Sequence, residues 1–265
     1  FFLGYSSLKK FAVAVLCQTF LPKLASKINC DKTRIYLFPV PKNLLISRIM
    51  SITLNKKTGI NLKKGSTISL EKNGKQLEEV CIGLNWGAIQ QKTFFNLFTN
   101  MIDVDLDGSV CLFDSEGNSL DVVYYNSLRS RDGAIRHSGD DTGGDAGVDD
   151  GRDNEIIQLQ LNKINPKVQE IYFFLNSFKK QDFASIPFSK IRIFEGNAHQ
   201  VKDVMATFNL SADDKYKGYV SMIMGKLYRK GNSWEFLSIG EPVQAERIER
   251  TIEHIKNTYF NKDSA

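Results

Sequence analysis

Two acidic stretches hold the residues whose types and spacing could do chemistry. The first is Asp103-Val-Asp105-Leu-Asp107. As a strand it would put its three carboxylates on one face, ~6.5 Å apart, with Val104 and Leu106 turned to the core. Like charges that close repel and are costly to bury unpaired. No Lys or Arg follows until Arg129. The second stretch, Gly139 to Glu155, holds seven acids, five glycines and one arginine. Glycine permits the tight turns that bring carboxylates and carbonyls to one point. Hard oxygen donors without His or Cys suit Ca²⁺, which takes 6–8 oxygens at ~2.3–2.6 Å, whereas Mg²⁺ keeps several waters. Alone, the second stretch could be a solvated acidic loop. The equally unneutralised row at Asp103–Asp107 favours a metal.

Other chemistries fit less well. Asp103-x-Asp105-x-Asp107-Gly108 imitates an EF-hand loop. Its twelfth position is Asp114 rather than Glu, and an apolar strand pattern, Cys111–Phe113, continues where a helix should begin. His137, His199 and His254 are far apart in sequence. His137 beside the acidic loop reads as structural, and His254 reads as a surface residue of a helix. No nucleophile elbow, P-loop or dinucleotide fingerprint occurs. Metal-assisted hydrolysis by the same acids would need an open coordination position and a base. The four cysteines, Cys17, Cys30, Cys81 and Cys111, have no metal or CxxC spacing. Cys81 and Cys111 read as packed small hydrophobes. Trp86 and Trp234 fall on strand faces and read as core.

The elements that must position these acids are mostly strands. Period-two patterning with short turns marks Ser51–Leu54, Ile60–Leu62, Thr67–Leu70 and Val80–Trp86. It continues through Asp103–Phe113 and Leu120–Tyr125, a hairpin over Ser115-Glu-Gly-Asn118. Further strands are expected at Glu155–Leu161, Val168–Leu175, Ile191–Phe194, Val204–Leu210, Tyr219–Tyr228 and Trp234–Ile239. The period then changes: Ile248, Ile252, Ile255 and Tyr259 predict an amphipathic helix over Val243–Phe260. The fold class is therefore mainly β, a β-sandwich with a few helices including a C-terminal one.

The chain has 265 residues and a net charge of +5. At 42% hydrophobic and 25% charged it is neither disordered nor fibrous, and no run approaches the ~18 apolar residues of a membrane span. Residues 1–49 hold eight basic side chains against one acid, Asp31, so residues 50–265 are net −2. Residues 103–155 carry fourteen acids and four arginines. The basic excess therefore gives no reason to expect a nucleic-acid partner. The first methionine is Met50. Residues 1–49 are expected to be an extension outside the fold, and 50–265 a single domain.

Several spaced motifs together resemble the TerD family, the tellurium-resistance and stress-response proteins of bacteria. They are Ile82-Gly-Leu-Asn-Trp86, Asp103–Asp107, Val123-Tyr-Tyr-Asn126, His137-Ser-Gly-Asp140 and Asp149-Asp150 with Asp153-Asn-Glu-Ile-Ile157, followed by Gly240-Glu241 after Trp234-Glu-Phe236. The resemblance spans about Met50 to Phe260. It implies a calcium-binding, non-enzymatic β-sandwich linked to resistance to tellurite, phage and colicins, acting as a calcium-dependent scaffold or sensor. It carries over Asp103, Asp105, Asp140, Asp150, Asp153 and Glu155 as metal ligands, then Asp107, Asp141 and Asp149, with two Ca²⁺ ions expected. Gly151-Arg152 is inserted relative to many members, and Asn154 replaces an acid. Expected partners are other Ter-type stress proteins and a membrane-associated complex. The expected location is cytoplasmic, peripheral to the inner membrane. Alternatives are a calcium-dependent hydrolase using these carboxylates and a calcium-dependent surface adhesion or carbohydrate-binding sandwich.

Overall fold

The computed structural model describes residues 59–93 and 98–260. The extension expected at 1–49 and the strand expected at Ser51–Leu54 lie outside the described residues. In chain order the strands are β1 (Ile60–Leu62), β2 (Thr67–Ser69), β3 (Glu71–Lys72), β4 (Lys75–Gln76), β5 (Glu79–Trp86), β6 (Ile89–Thr93), β7 (Phe98–Ile102), β8 (Leu106–Phe113), β9 (Ser119–Val123) and β10 (Ile135–His137). They continue with β11 (Glu155–Gln160), β12 (Glu170–Ser177), β13 (Phe188–Asn197), β14 (Gln200–Ser211), β15 (Ser221–Lys230) and β16 (Ser233–Val243), and the chain closes on helix α1 (Ile248–Tyr259).

Two six-stranded sheets form, in the orders β1-β14-β13-β5-β11-β10 and β2-β16-β15-β12-β8-β9. Among the described strands only β1 and β14 pair in parallel; the other neighbours are antiparallel, as short connections allow. One continuous core lies between the sheets. Ile82, Leu84, Ile157 and Ile193 supply it from the first sheet, and Val110, Phe173, Met224 and Phe236 from the second. Period two explains the strands: in β11, Glu155, Ile157 and Leu159 are buried while the residues between them are half-buried. Trp86 and Trp234 are buried as expected, and Cys81 and Cys111 are buried and free.

Strands β5, β8 and β12 are buried on both faces almost throughout, so something must cover the outer face of each sheet. On the second sheet the cover is α1. Its Ile255, with Ile248 and Ile252, packs on Cys111, Phe113, Tyr172 and Phe174. On the first sheet, over β5, the cover is the acidic loop.

Some elements differ from the sequence expectation. The helix starts at Ile248 rather than Val243, because β16 continues to Val243 and Arg247 is extended. The expected strand Asp103–Phe113 begins only at Leu106. The β6–β7 hairpin was not expected: Gln90, Gln91 and Lys92 are all exposed, as are Thr99 to Ile102, so no burial alternation marks it. His254 is half-buried rather than on the surface, with its ring 2.6 Å from Glu241 Oε1.

The helix should contribute measurably to stability, since Ile255 is fully buried beneath it. Ile255→Ala is expected to cost about 2–5 kcal/mol in urea unfolding. Ile60→Ala, at an exposed site, should change it by no more than about 0.5 kcal/mol.

Candidate metal centre

Loop 139–154 is stitched to the end of β5 by its backbone. Asp145 N–H donates to Trp86 C=O (2.9 Å), Ala88 N–H donates to Asp145 C=O (2.9 Å), and Val104 N–H donates to Gly143 C=O (3.0 Å). Asn154 Oδ1 accepts from Trp86 N–H at 2.8 Å, and the Trp86 indole N–H donates to Val104 C=O at 2.8 Å. Gly144 has φ +72 and lies directly against the Trp86 ring, where a side chain would collide. The loop thus brings its acids beside the start of β8.

Three carboxylates converge there: Asp105, Asp107 and Asp140 each present an oxygen, all within 4.8 Å of one another. Asp105 and Asp107 are buried and Asp140 is exposed, so the group opens to solvent on one side. The nearest described cation is Lys179, whose Nζ is 3.8 Å from Asp105 Oδ2 and donates to Thr142 C=O at 3.3 Å. Burial pushes the Asp107 carboxyl up to about 7, and repulsion from Asp140, Glu155 and Asp105 adds to this. Burial also raises Asp105, against the pull of Lys179. Three acids facing one lysine are short of positive charge. The donors are all oxygens, a set that fits a hard divalent cation.

The other predicted residues have different positions. Asp103 is exposed and precedes β8, so the expected row of three carboxylates on one strand face does not form. The reason is local: Asp103 to Asp105 form the irregular entry to β8, where Val104 pairs with the acidic loop. Asp103 C=O accepts from Gln181 Nε2 at 2.9 Å. Asp141 closes a turn, with Oδ1 accepting from Gly143 N–H (3.0 Å) and Gly144 N–H (3.1 Å). Asp150 Oδ1 accepts from Arg152 N–H at 2.7 Å.

Glu155 sits on the inner face of β11, its side chain fully enclosed. Its carboxylate reaches across to the second sheet and accepts from Gly108 N–H at 2.8 Å. It also accepts from Asp141 N–H at 3.3 Å and lies 3.2 Å from His137 Nε2. His137 Nδ1 accepts from Gly139 N–H at 3.1 Å, which assigns the ring proton to Nε2, between Glu155 and Gly108 C=O. His137 is buried and both of its ring nitrogens have partners within the protein. Burial raises the Glu155 carboxyl, opposed by His137 and the two amides. One carboxylate therefore holds the Asp107 strand, the Asp140–Asp141 loop and β11 in register.

Asp149 and Asp153 lie on the opposite, outer face of β5. Asp153 is fully enclosed and bidentate to Arg192, at 2.6 Å to Nη2 and 3.1 Å to Nε. It lies flat on Gly83, where any side chain would overlap it. Burial raises Asp153 in spite of Arg192. Asp149 Oδ2 is 2.5 Å from Lys190 Nζ. Burial alone would raise Asp149, but the Lys190 hydrogen bond, the Gly151 amide and the charges of Lys190 and Arg192 outweigh it and hold the carboxyl low.

A model of the TerD domain matches residues 58–254. The chain belongs to the TerD family. Among relatives, the stress response protein SCP2 of Bacillus subtilis (strain 168) is 31% identical over 205 residues, covering 73% of this chain and 97% of that protein. Tellurium resistance protein TerZ of Serratia marcescens is 28% identical over 191 residues, covering 72% and 93%. The crystal structure of a homologue of telluride resistance protein (TerD) from Streptomyces coelicolor A3(2) is 16% identical, covers 65% of this chain and 94% of its own, and superposes with a TM-score of 0.49.

In this TerD-family chain, sequence reasoning passed over Asn85, Asp145, Lys190 and Arg192. Asn85 Nδ2 donates to Asp145 Oδ2 (3.2 Å) and Asp149 Oδ1 (3.1 Å). The signal for the two cations was present in β13, where Lys190 and Arg192 alternate with the core residues Ile191 and Ile193.

Asp107 makes a pH prediction. Its folded pKa of about 7 lies above the ordinary 3.8, so the metal-free fold binds this proton more tightly than the unfolded chain does. Its penalty on stability is full above about pH 7 and fades as pH falls toward 4. The difference in melting temperature between the Asp107→Asn variant and the unaltered metal-free chain should favour the variant at pH 8 and shrink by pH 5. Gly108→Ala should destabilise by about 1–3 kcal/mol in urea unfolding, because its Cβ would overlap Glu155 Oε2 and crowd Leu84.

Proposed function

We propose that this TerD-family chain is a calcium-binding, non-enzymatic stress-response protein associated with tellurite resistance, acting as a calcium-dependent scaffold or sensor. The observation that carries this reading is the Asp105–Asp107–Asp140 group: three carboxylate oxygens within 4.8 Å, two of the residues buried, with too little positive charge beside them. These three residues would hold the ion, with Asp141 and Glu155 shaping the loop around it. A bound Ca²⁺ supplies the charge that the group lacks. Asp105 comes from the entry to β8, Asp107 from β8 itself and Asp140 from the loop, so holding one ion joins the loop to the second sheet. Carboxylate repulsion loosens the loop when no cation is held, which gives the chain two states that calcium can bias.

The names of the relatives, stress response protein and tellurium resistance protein, support a stress role. Among the described residues no helix is long and apolar enough to cross a membrane. We place the protein in the cytoplasm, at the inner membrane periphery, with other Ter-type stress proteins as partners and without nucleic acid.

Calorimetry on the full chain tests the central claim. Ca²⁺ should bind more tightly than Mg²⁺, and Asp105→Asn or Asp107→Asn should weaken Ca²⁺ binding at least tenfold. At ~100 times the dissociation constant, Ca²⁺ should stabilise the fold by about 2.7 kcal/mol, and EDTA should reverse the gain. No heat with Ca²⁺ and an unchanged melting temperature would remove this reading.

A further inference from the structure

The acidic loop contributes a second group of carboxylates, and it is built differently from the first. On the outer face of β5, Asp145 and Asp149 hold the Asn85 amide, Asp153 lies on Gly83, and Asp149 and Asp153 meet cations of β13. Asn85 and Lys190 are cross-strand partners, as are Gly83 and Arg192. Lys190 is 2.5 Å from Asp149, and Arg192 is bidentate to Asp153. Asp145 Oδ2 takes the amide of Asn85 and the Asp150 N–H, the latter at 3.1 Å. Each acid here already has a donor from the protein. At Asp105, Asp107 and Asp140 the nearest described cation, Lys179, stands 3.8 Å from Asp105.

We propose that Lys190 is a built-in cation that takes the place of a second metal ion, so that this chain holds one Ca²⁺, at Asp105, Asp107 and Asp140, and Lys190 keeps another from the outer group. The inference rests on the calcium reading above. It replaces the two ions expected from sequence with one ion and one lysine.

The outer group has the makings of a cation site without Lys190. Asn85 is fully buried, and its Oδ1 has no hydrogen-bond partner. Turning the amide by 180° exchanges its oxygen and nitrogen. The oxygen would then stand about where Nδ2 is now, 3.2 Å from Asp145 Oδ2 and 3.1 Å from Asp149 Oδ1. Three oxygens at such spacing are part of a Ca²⁺ shell. The ammonium of Lys190 holds one of them and supplies the charge that would otherwise draw an ion. Its stem is largely buried, with 11% of the side chain exposed, so it cannot swing away as a surface lysine can. Arg192, fixed on Asp153 by two bonds, closes the other side.

Ion counting on the full chain decides the matter. Native mass spectrometry and calorimetry with Ca²⁺ should give one ion for the unaltered chain. Lys190→Gln and Lys190→Met should each give two, with affinity at the first site unchanged within about twofold. Lys190→Arg, which keeps the charge, should give one. Far-ultraviolet circular dichroism checks that each variant is folded. Two ions on the unaltered chain, or one ion on both folded neutral variants, would overturn the inference and leave the calcium reading standing. No ion on any of the chains would overturn both.

Discussion

Carboxylates cannot be crowded together unless something carries the opposite charge, and in this protein that constraint organises the end of the sandwich. The chain divides its acids between the outer face of β5 and the start of β8. On the outer face they are met by cations from β13, and Asp153 can lie against the sheet only because Gly83 leaves room. At the start of β8, Asp105, Asp107 and Asp140 meet with Lys179 as the nearest described cation. The same loop therefore has a half that is electrostatically complete and a half that is not. The incomplete half is where a ligand from solution has something to gain.

Glu155 makes this division possible. A buried carboxylate without partners would be among the costliest groups in the fold. Here it is surrounded by Gly108 N–H, Asp141 N–H and His137. Those contacts come from the second sheet, the acidic loop and β10, so satisfying one charge positions three pieces of chain. Gly108 is a glycine because the carboxylate and Leu84 already fill the place of a side chain. Glu155 thus acts on Asp107 and Asp140 through the backbone beside them.

The two covers of the sandwich show the same economy. The second sheet is closed by an apolar helix face, a cover stabilised by removal of hydrocarbon from water. The first is closed over β5 by a polar loop whose contacts are hydrogen bonds and ion pairs. Such a cover holds only while its charges are balanced.

Much of the fold was legible in the residues, because burial on a strand or helix face leaves a period. Val80–Trp86 alternates and is a central strand; Ile248, Ile252, Ile255 and Tyr259 repeat at helical spacing and form a helix. The β6–β7 hairpin left no such trace, since Gln90 to Lys92 and Thr99 to Ile102 are exposed without alternation. The acids were legible as a composition, and the chemistry of their oxygens pointed to a hard cation. Their division was not legible. Asp103 and Asp105 are two residues apart and look equivalent, yet only Asp105 joins the cluster, because the backbone before Leu106 is irregular and does not keep the strand's alternation. Asp149 and Asp153 look like Asp140, yet they face Lys190 and Arg192, about forty positions along the chain. Local sequence determines which residues share a face and which atoms they offer. Which charges end up beside one another depends on strands far apart in sequence coming into register, and only the tertiary structure decides that.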